Sequence, residues 1–204
     1  MIEQGTPEWH LLRRGKVTAS KVADVLAKGR GNAESLTRAK YMSQLVTERL
    51  TTHAIESFTN EAMQRGTEME PVARAAYSAA SSNHVEQVAF IDHPTIAMAG
   101  ASPDGLVWDD GLVEIKCPNS QTHREYIMAG KPPAKYIPQM AWQMACTGRK
   151  WVDFVSYDDR FDDVSKHLFI VRYERDDEYI AMMEAEVQKF LEEVDQAVEA
   201  FNRR

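Results

Sequence analysis

The sequence predicts a mixed helix-and-sheet protein of the α/β or α+β class, in one domain over residues 1–204. Helical patterns fill the first eighty residues, strand patterns follow, and helix and strand then alternate. A chain of 204 residues is long enough to bury one sizeable core. N-terminal helices are therefore expected over residues 1–80, a sheet core over 84–173 and a C-terminal helix over 176–204.

The first part of the chain predicts two short and two long helices. A short helix beginning at Trp9 should end at Gly15, because glycine commonly terminates a helix. The next helix is expected to be capped by Thr18 or Ser20, whose hydroxyl oxygens can accept a backbone N–H. The short helices are expected over residues 9–15 and 18–26, and the long amphipathic ones over 34–50 and 60–80, with a connection over 51–58.

The second long helix contains two residues that weaken a helix interior, Gly66 and Pro71. Either two helices meet at this point, or another group approaches the helix closely. Glu68 and Glu70 lie between them on different helical faces. At most one of these two carboxylates is therefore expected to reach a common site.

Strand patterns begin at residue 85. Runs with apolar alternation are separated by turn residues, and the cluster Asp109-Asp110-Gly111 is typical of a β-hairpin turn. The predicted strands cover residues 85–91, 95–99, 106–108, 112–116, 151–157 and 167–173. The helices expected between and after them cover residues 122–128, 135–146 and 176–204. The last helix carries an apolar stripe, which indicates core packing, with a subunit interface as the alternative.

The net charge of −7 is unevenly distributed along the chain. Residues 1–40 carry 8 basic and 4 acidic side chains and residues 119–150 carry 5 and 1, so both segments are basic. Residues 41–118 carry 4 and 11, and residues 151–204 carry 7 and 15. The basic segments permit a polyanionic partner despite the acidic total.

Composition also excludes several classes of protein. With only Cys117 and Cys146, the chain has no disulfide framework and no four-cysteine zinc or iron–sulfur site of its own. No apolar run is long enough to span a bilayer, and the first residues show no secretory leader. A reducing, cytoplasmic setting is therefore expected.

The hairpin between Ser102 and Pro118 gathers charged side chains. Alternation along the second strand places Glu114 and Lys116 on one face, and Asp104 precedes the first strand where it can face Glu114. A buried structural pair of Glu114 and Lys116 is one interpretation. The other is a functional site, in which carboxylate oxygens bind Mg²⁺ or Mn²⁺ and Lys116 orients or deprotonates a water that attacks a phosphodiester.

For two further patterns, spacing alone does not decide between a structural and a functional role. The helix start near Ser20, with Arg13 or Arg14 nearby, suits a phosphate as well as plain capping. Lys135, Gln139 and Gln143 form a polar row spaced by four, which is usually only a solvated face.

Several of these motifs together resemble a known family. Ser102-Pro103-Asp104-Gly105 followed by Glu114-Ile115-Lys116 resembles the PD-(D/E)XK nuclease signature. Nearly the whole chain is similar to the phage lambda exonuclease, or YqaJ-type viral recombinase, family, with its motifs in the same order. The matching segments are Trp9-His10 through Arg13, Gly15 and Thr18-Ala19-Ser20; Gly66 with Glu70; and Tyr136-Ile137-Pro138-Gln139-Met140 with Gln143.

The resemblance implies a fold, a reaction and partners. The fold would be a restriction-endonuclease-like core, with a central mixed β-sheet flanked by helices. The reaction would be Mg²⁺-dependent 5′→3′ digestion of double-stranded DNA from ends with a 5′ phosphate. It would release 5′ mononucleotides and leave a 3′ overhang for recombination by single-strand annealing.

 Mn²⁺ is the alternative cofactor, and two metal ions per site are implied. The implied partners are a homotrimeric ring of this chain and a single-strand annealing protein, in the cytoplasm of a bacterial host and encoded by a phage or prophage.

The resemblance also implies roles for individual residues of the cutting site. Asp104, Glu114 and the carbonyl of Ile115 would be metal ligands, and Glu70 would serve a second metal directly or through water. Lys116 would position the attacking water.

By the same resemblance, a second set of residues would bind the DNA. Arg13, Ser20 and Ser102 match the residues that hold the 5′ phosphate, with Arg14 as the alternative to Arg13. Gln139 would lie beside the scissile phosphate or the metal-bound water. Weaker candidates for a DNA channel are Arg30, Lys131 and Lys135.

Two other functions remain as alternatives. An endonuclease or repair nuclease of the same fold would also cut closed circles, and a DNA-end-binding scaffold would have lost catalysis. The presence of Asp104, Glu114 and Lys116 together favours an enzyme. An iron–sulfur nuclease is disfavoured, because the chain has two cysteines.

Overall fold

A computed structural model describes residues 2–29, 31, 35–51 and 60–204, without the side chains of residues 62 and 63. Arg30 lies outside the described residues, as do residues 52–58 of the connection expected over 51–58. The helices are α1 Pro7–Arg13, α2 Val22–Val25, α3 Leu36–Leu50, α4 Glu61–Ser81, α5 Ser120–Ala129, α6 Ile137–Thr147 and α7 Asp177–Asn202. Short 3₁₀ turns cover Ala19–Lys21, Ala134–Tyr136 and Val164–Lys166.

Eight strands form two sheets in the described part of the chain. They are β1 Val17–Thr18, β2 Val85–Glu86, β3 Ile91–Asp92, β4 Ala99–Ala101, β5 Gly105–Val107, β6 Gly111–Lys116, β7 Trp151–Tyr157 and β8 Leu168–Glu174. The larger sheet has the order β2-β5-β6-β7-β8, and the smaller has the order β1-β4-β3. In the larger sheet β6 and β7 are parallel and the other neighbours are antiparallel, so the sheet is mixed.

Helices cover both faces of the larger sheet. On one face, Ala73 and Tyr77 of α4 pack against Val113 and Val155. On the other face, α6 and α7 bury residues such as Met140 and Phe190 in a cluster that includes Phe154 and Leu112 of the sheet. Burying each large apolar side chain contributes about 1.5–3 kcal/mol. The predicted fold, a mixed sheet flanked by helices, is confirmed.

The alternation within β6 determines where Glu114 points. Val113 and Ile115 belong to the cluster beneath α4, whereas Leu112 belongs to the cluster beneath α6. Because side chains alternate faces along a strand, Glu114 and Lys116 lie on the α6 side with Leu112. This places a carboxylate where an apolar side chain would otherwise be buried.

Two predicted strands are wrong in their extent. The run over residues 85–91 is split, because Val85 pairs with Val107 in the larger sheet whereas Ile91 pairs with Ala101 in the smaller one. The run over residues 95–99 is a turn up to Met98, and β4 begins only at Ala99. His93 Nδ1 accepts the backbone N–H groups of Thr95 and Ile96, which holds this turn.

Two helix predictions also need correction. The helix expected over residues 18–26 is a 3₁₀ turn followed by a single α-helical turn, and Thr18 makes no side-chain cap hydrogen bond. The segment with Gly66 and Pro71 is one continuous helix, so the alternative of two helices meeting there is wrong. No helix in the described part of the chain is long and apolar enough to cross a membrane.

Candidate active site

The hairpin of β5 and β6 brings Asp104 and Glu114 to one end of the larger sheet. Gly105 lies opposite Val113, so the residue before Gly105 comes opposite Glu114. Asp104 Oδ2 accepts the backbone N–H of Ile115 at 2.6 Å, which fixes the carboxylate at the open end of the hairpin. The predicted approach of these two carboxylates is present in the structure.

Glu114 is fully buried and is held by three donors. Gln139 Nε2 donates to Oε1 and Gln143 Nε2 donates to Oε2, each at 2.6 Å. Lys116 forms an ion pair with Oε1. A buried carboxylate is tolerated only when its charge is compensated in this way.

The two glutamines come from one face of α6 and are therefore not a solvated row. Gln143 is itself fully buried and its Oε1 has no hydrogen-bond partner. The sequence alone did not predict a separate role for Gln143. Its spacing of four from Gln139 indicates that the two side chains share one face of α6. Only the folded structure shows that this face is buried against the sheet.

The charges at this end of the sheet perturb one another. Burial and the neighbouring Glu114 raise the pKa of Asp104 well above its ordinary value. Burial lowers the pKa of Lys116, but the carboxylates of Glu114 and Asp104 raise it by more, so the ammonium is stabilised. One ammonium thus faces more than one carboxylate, which is an environment that favours additional positive charge.

Glu70 reaches the same region from α4, on the opposite face of the sheet. It pairs with Arg74, one helical turn further along. Burial raises the pKa of Glu70, and the charges of Arg74 and Lys116 oppose that effect. Within the described residues, no three acidic, histidine or cysteine side chains converge as a metal cluster, so Glu70 is near Asp104 and Glu114 without joining them.

A cavity of about 260 Å³ lies beside these residues. Asp104, Lys116 and Gln139 line one part of it, and residues from the N-terminal segment line the rest. The complete lining is Gln4, Trp9, Arg13, Ala19, Ser20, Ser102, Asp104, Lys116 and Gln139. The structure therefore brings the predicted phosphate-binding residues to the same cavity as three of the predicted cutting residues, Asp104, Lys116 and Gln139.

Trp9 organises the phosphate-binding part of the cavity. The Arg13 guanidinium carbon lies 3.9 Å from the centroid of the Trp9 ring, and Arg13 Nη2 donates to Ser20 Oγ at 3.3 Å. Trp9 Nε1 donates to Ser102 Oγ at 3.0 Å and to the Ala89 carbonyl at 2.9 Å. Because Ser102 Oγ accepts the indole proton, its own hydroxyl proton can be donated to a ligand in the cavity.

Arg13, rather than its neighbour Arg14, lines the cavity. Burial lowers the pKa of Arg13 to about 10, although Tyr41 and Glu48 oppose this, so the guanidinium stays charged at neutral pH. Among the described residues no carboxylate forms a salt bridge with Arg13. A charged guanidinium without a salt bridge, in a cavity that also contains the hydroxyl groups of Ser20 and Ser102, is suited to an anion.

Two of the residues predicted for a DNA channel, Lys131 and Lys135, are exposed and do not line the cavity. Lys135 is exposed, and its Nζ lies 4.8 Å from the centroid of Tyr136, which borders the site. Lys131 is exposed in the segment before it.

Gln4 also lines the cavity but was not predicted from the sequence. Its Nε2 donates to the carbonyls of Val88 and Pro103 at 2.9 Å. No local pattern predicts contacts between residues so distant along the chain.

The donor set fits a hard divalent cation. Asp104 and Glu114 offer carboxylate oxygens, and oxygen ligands are those that Mg²⁺ and Mn²⁺ prefer. Burial and the charge of Glu114 raise the pKa of Asp104, so a cation bound beside Asp104 would stabilise its charged form. The same Glu114 oxygens accept hydrogen bonds from Gln139 and Lys116, so a cation bound there would replace some of these contacts.

Three of the solved structures that are similar to this chain are of exonucleases. The chain is 54% identical to the alkaline exonuclease LHK-Exo of Laribacter hongkongensis, with a TM-score of 0.89 and 97% of each chain covered. A structure of LHK-Exo in complex with dAMP matches with a TM-score of 0.90 over the same shares. A phage-related exonuclease of Haemophilus somnus 129PT has the same fold at 15% identity, with a TM-score of 0.68 and 94% and 99% of the two chains covered.

No curated protein matches the chain by sequence. The model of the YqaJ-like viral recombinase domain matches residues 8–150, which is more than half of the chain and includes Arg13, Glu70, Asp104, Glu114 and Gln139. Together with the close likeness to an alkaline exonuclease, this match shows that the chain belongs to the YqaJ-like viral recombinase family.

Proposed function

We propose that the chain is a Mg²⁺-dependent 5′→3′ exonuclease that degrades one strand of double-stranded DNA from ends with a 5′ phosphate. One observation carries the proposal. Arg13 and Ser102, which suit a terminal phosphate, line the same cavity as Asp104 and Lys116, which suit phosphodiester cleavage. An enzyme that starts at a strand end needs both functions within one nucleotide of each other, whereas an endonuclease has no need of a phosphate pocket.

The relative's structures support the same reaction. LHK-Exo is an alkaline exonuclease and has been solved in complex with dAMP, a nucleoside monophosphate. A 5′ mononucleotide is the product expected when an exonuclease removes one nucleotide at a time from a 5′ end.

The proposed reaction is hydrolysis of the bond between the first and second nucleotides. A water oxygen adds to the phosphorus, the bond from phosphorus to the 3′ oxygen of the first nucleotide breaks, and that oxygen gains a proton. The products are a 5′ mononucleotide and a strand whose new end again carries a 5′ phosphate. The same pocket can therefore accept each successive end.

Residues of this chain would orient the reactants. Arg13, Ser20 and Ser102 would hold the terminal phosphate, and Lys116 Nζ would donate a hydrogen bond to the attacking water or to the phosphate. Gln139 would orient the same groups through its carboxamide.

A divalent cation would be held by Asp104, Glu114 and the carbonyl of Ile115, and a second by Glu70 directly or through water. When bound, such a cation polarises the phosphoryl oxygen and lowers the pKa of a nearby water. Mg²⁺ is the expected ion and Mn²⁺ is the alternative.

The family resemblance extends the proposal to partners. We infer a homotrimeric ring that encloses the duplex, and a single-strand annealing protein that acts on the 3′ overhang during recombination. The setting would be the cytoplasm of a bacterial host, with the gene carried by a phage or prophage.

The test compares a linear duplex with 5′ phosphates and a closed circular duplex of the same sequence, each with Mg²⁺ and with EDTA. We expect release of mononucleotides from the linear DNA with Mg²⁺ only, and an intact circle. Cleavage of the circle would favour the endonuclease alternative. Binding to linear ends without any nucleotide release would favour the inactive scaffold.

A further inference from the structure

Tyr136 lies beside the lysine of the candidate active site. Lys116 Nζ is 5.3 Å from the centroid of the Tyr136 ring, and Lys135 Nζ is 4.8 Å from the same centroid. A cation within about 6 Å of an aromatic ring face is attracted by the ring quadrupole. Tyr136 is therefore a second, uncharged partner for Lys116, in addition to Glu114.

The Tyr136 ring is held in place by the core of the protein. It stacks on Phe154 of β7 with a centroid distance of 5.5 Å and an interplanar angle of 24°. Phe154 is fully buried, and its ring also makes an edge contact with Tyr126 at 5.6 Å. Tyr136 immediately precedes α6, the helix that carries Gln139.

Binding of a divalent cation would change the partners of Lys116. In the structure its ion pair is with Glu114, one of the carboxylates expected to hold the cation. A lysine has a flexible four-carbon stem, so an ammonium that loses its carboxylate can move away from the cavity. The Tyr136 ring can still contact the Lys116 ammonium when Glu114 binds a cation.

We propose that Tyr136 is a positioning residue, whose ring keeps the Lys116 ammonium at the cavity once a divalent cation occupies Glu114. This proposal rests on the proposed nuclease function. It concerns the face of the ring and not the phenol hydroxyl, so a phenylalanine should serve in its place.

The first test separates turnover from DNA binding. Tyr136→Leu should lower kcat by about 3- to 30-fold, which corresponds to the loss of one partly desolvated cation–π contact. The KM for linear duplex should change by less than about threefold, and Tyr136→Phe should recover most of the turnover. Tyr179→Leu is the control, because it removes another partly buried tyrosine ring that packs against the same core cluster from α7, and its turnover should stay near that of the wild type.

A double variant tests whether Tyr136 acts through Lys116. Tyr136→Leu should slow the wild type but should not slow Lys116→Ala any further. An additional loss in the Lys116→Ala background, or equal turnover in Tyr136→Leu and the wild type, would overturn the proposal. Thermal melting of each variant shows whether it is folded, and Tyr136→Phe keeps the test decisive if the leucine variant is not.

A spectroscopic test needs no catalysis. In protein labelled with ¹³C-lysine and without DNA, the ε-methylene protons of Lys116 should show a ring-current shift, with the signal identified by its absence in Lys116→Arg. The shift should persist with Mg²⁺ and in Tyr136→Phe, and it should disappear in Tyr136→Leu. Loss of the shift on addition of Mg²⁺ would contradict the positioning role. If the wild-type protein releases no nucleotides, the proposed function fails while this measurement still reports on the contact.

Discussion

Lys116 is the residue at which the charges of the candidate active site meet. It pairs with Glu114, and the charges of Asp104 and Glu70 both act in the same region. Its position at the edge of the cavity suits a group that orients water, because the side chain is still 27% exposed.

Replacing Lys116 should therefore affect the chemical step. Lys116→Ala should slow hydrolysis by about 10²- to 10⁴-fold and leave DNA binding largely intact, because the interaction is needed only during the reaction. Single-turnover rates and binding measured on the same duplex test this. Lys150→Ala, which changes an exposed lysine at the opposite end of β7, is the control. Wild-type turnover in Lys116→Ala would remove the proposed role.

Arg13 should determine the preference for phosphorylated ends. Arg13→Ala should reduce the ratio of rates on 5′-phosphate and 5′-hydroxyl ends by about tenfold or more, since a charge-assisted hydrogen bond contributes about 1.5–3 kcal/mol. Arg14→Ala is the matched control and should keep the ratio, because Arg14 does not line the cavity. The reverse outcome would assign the phosphate to Arg14.

His93 should make the stability of the fold depend on pH. Its Nδ1 accepts two backbone N–H groups, so Nε2 carries the proton and donates to Glu184 at 3.1 Å. Burial lowers the pKa of His93 below its ordinary value of 6.5, although Glu184 opposes this. The neutral ring is thus favoured in the folded state. Its contribution to the free energy of unfolding is fully present above pH 6.5 and is lost as pH falls through the pKa of His93 in the folded protein.

Urea unfolding at several pH values between about 5 and 8 tests this prediction. The free energy of unfolding should fall with acidification in the wild type, and the part due to His93 should be absent in His93→Gln. His10→Gln, on an exposed helix surface, is the control. An identical pH dependence in His93→Gln and the wild type would show that the ring is not responsible.

At the scale of elements, helix α4 contains Gly66, and the packing around this residue does not require a glycine. A Cβ added to Gly66 would meet no atom within 4 Å, and the residue lies inside a continuous helix. Because glycine is about 1 kcal/mol less favourable than alanine in a helix, Gly66→Ala should raise the melting temperature by roughly 2–4 °C. Gly5→Ala is the control: its surroundings are equally open, but its φ of +85° disfavours alanine, so stability should fall. A lower melting temperature for Gly66→Ala would contradict the prediction.

The elements also show why sequence patterns succeeded in some places and failed in others. The hairpin of β5 and β6 was predictable, because its turn and its alternation are local properties. The run over residues 85–91 was split because its two ends pair with different sheets, and that depends on Val107 and Ala101, which are distant in sequence. The row from Gln139 to Gln143 was ambiguous, because spacing gives the direction of a helical face but not what covers it.

At the scale of the whole molecule, residues from distant regions of the chain supply one cavity. The loop between β4 and β5 contributes Ser102 and Asp104, the N-terminal segment contributes Trp9 and Arg13, and α6 contributes Gln139. Composition and spacing predicted the Asp104–Glu114 pair directly. The roles of Arg13 and Gln139 followed only from the family resemblance, and the contacts of Trp9 with Ser102 required the folded chain, because 93 residues separate them.

The central claim is that the phosphate pocket and the cutting site act on the same strand end. The most direct measurement uses a linear duplex with a radioactive phosphate at one 5′ end, or with a label at the 3′ end of the same strand, in the presence of Mg²⁺. The account predicts that the 5′ label is released first, as a mononucleotide, and that replacement of the 5′ phosphate by a hydroxyl slows this release. Early release of the 3′ label, or of the 5′ label within longer oligonucleotides, would contradict it.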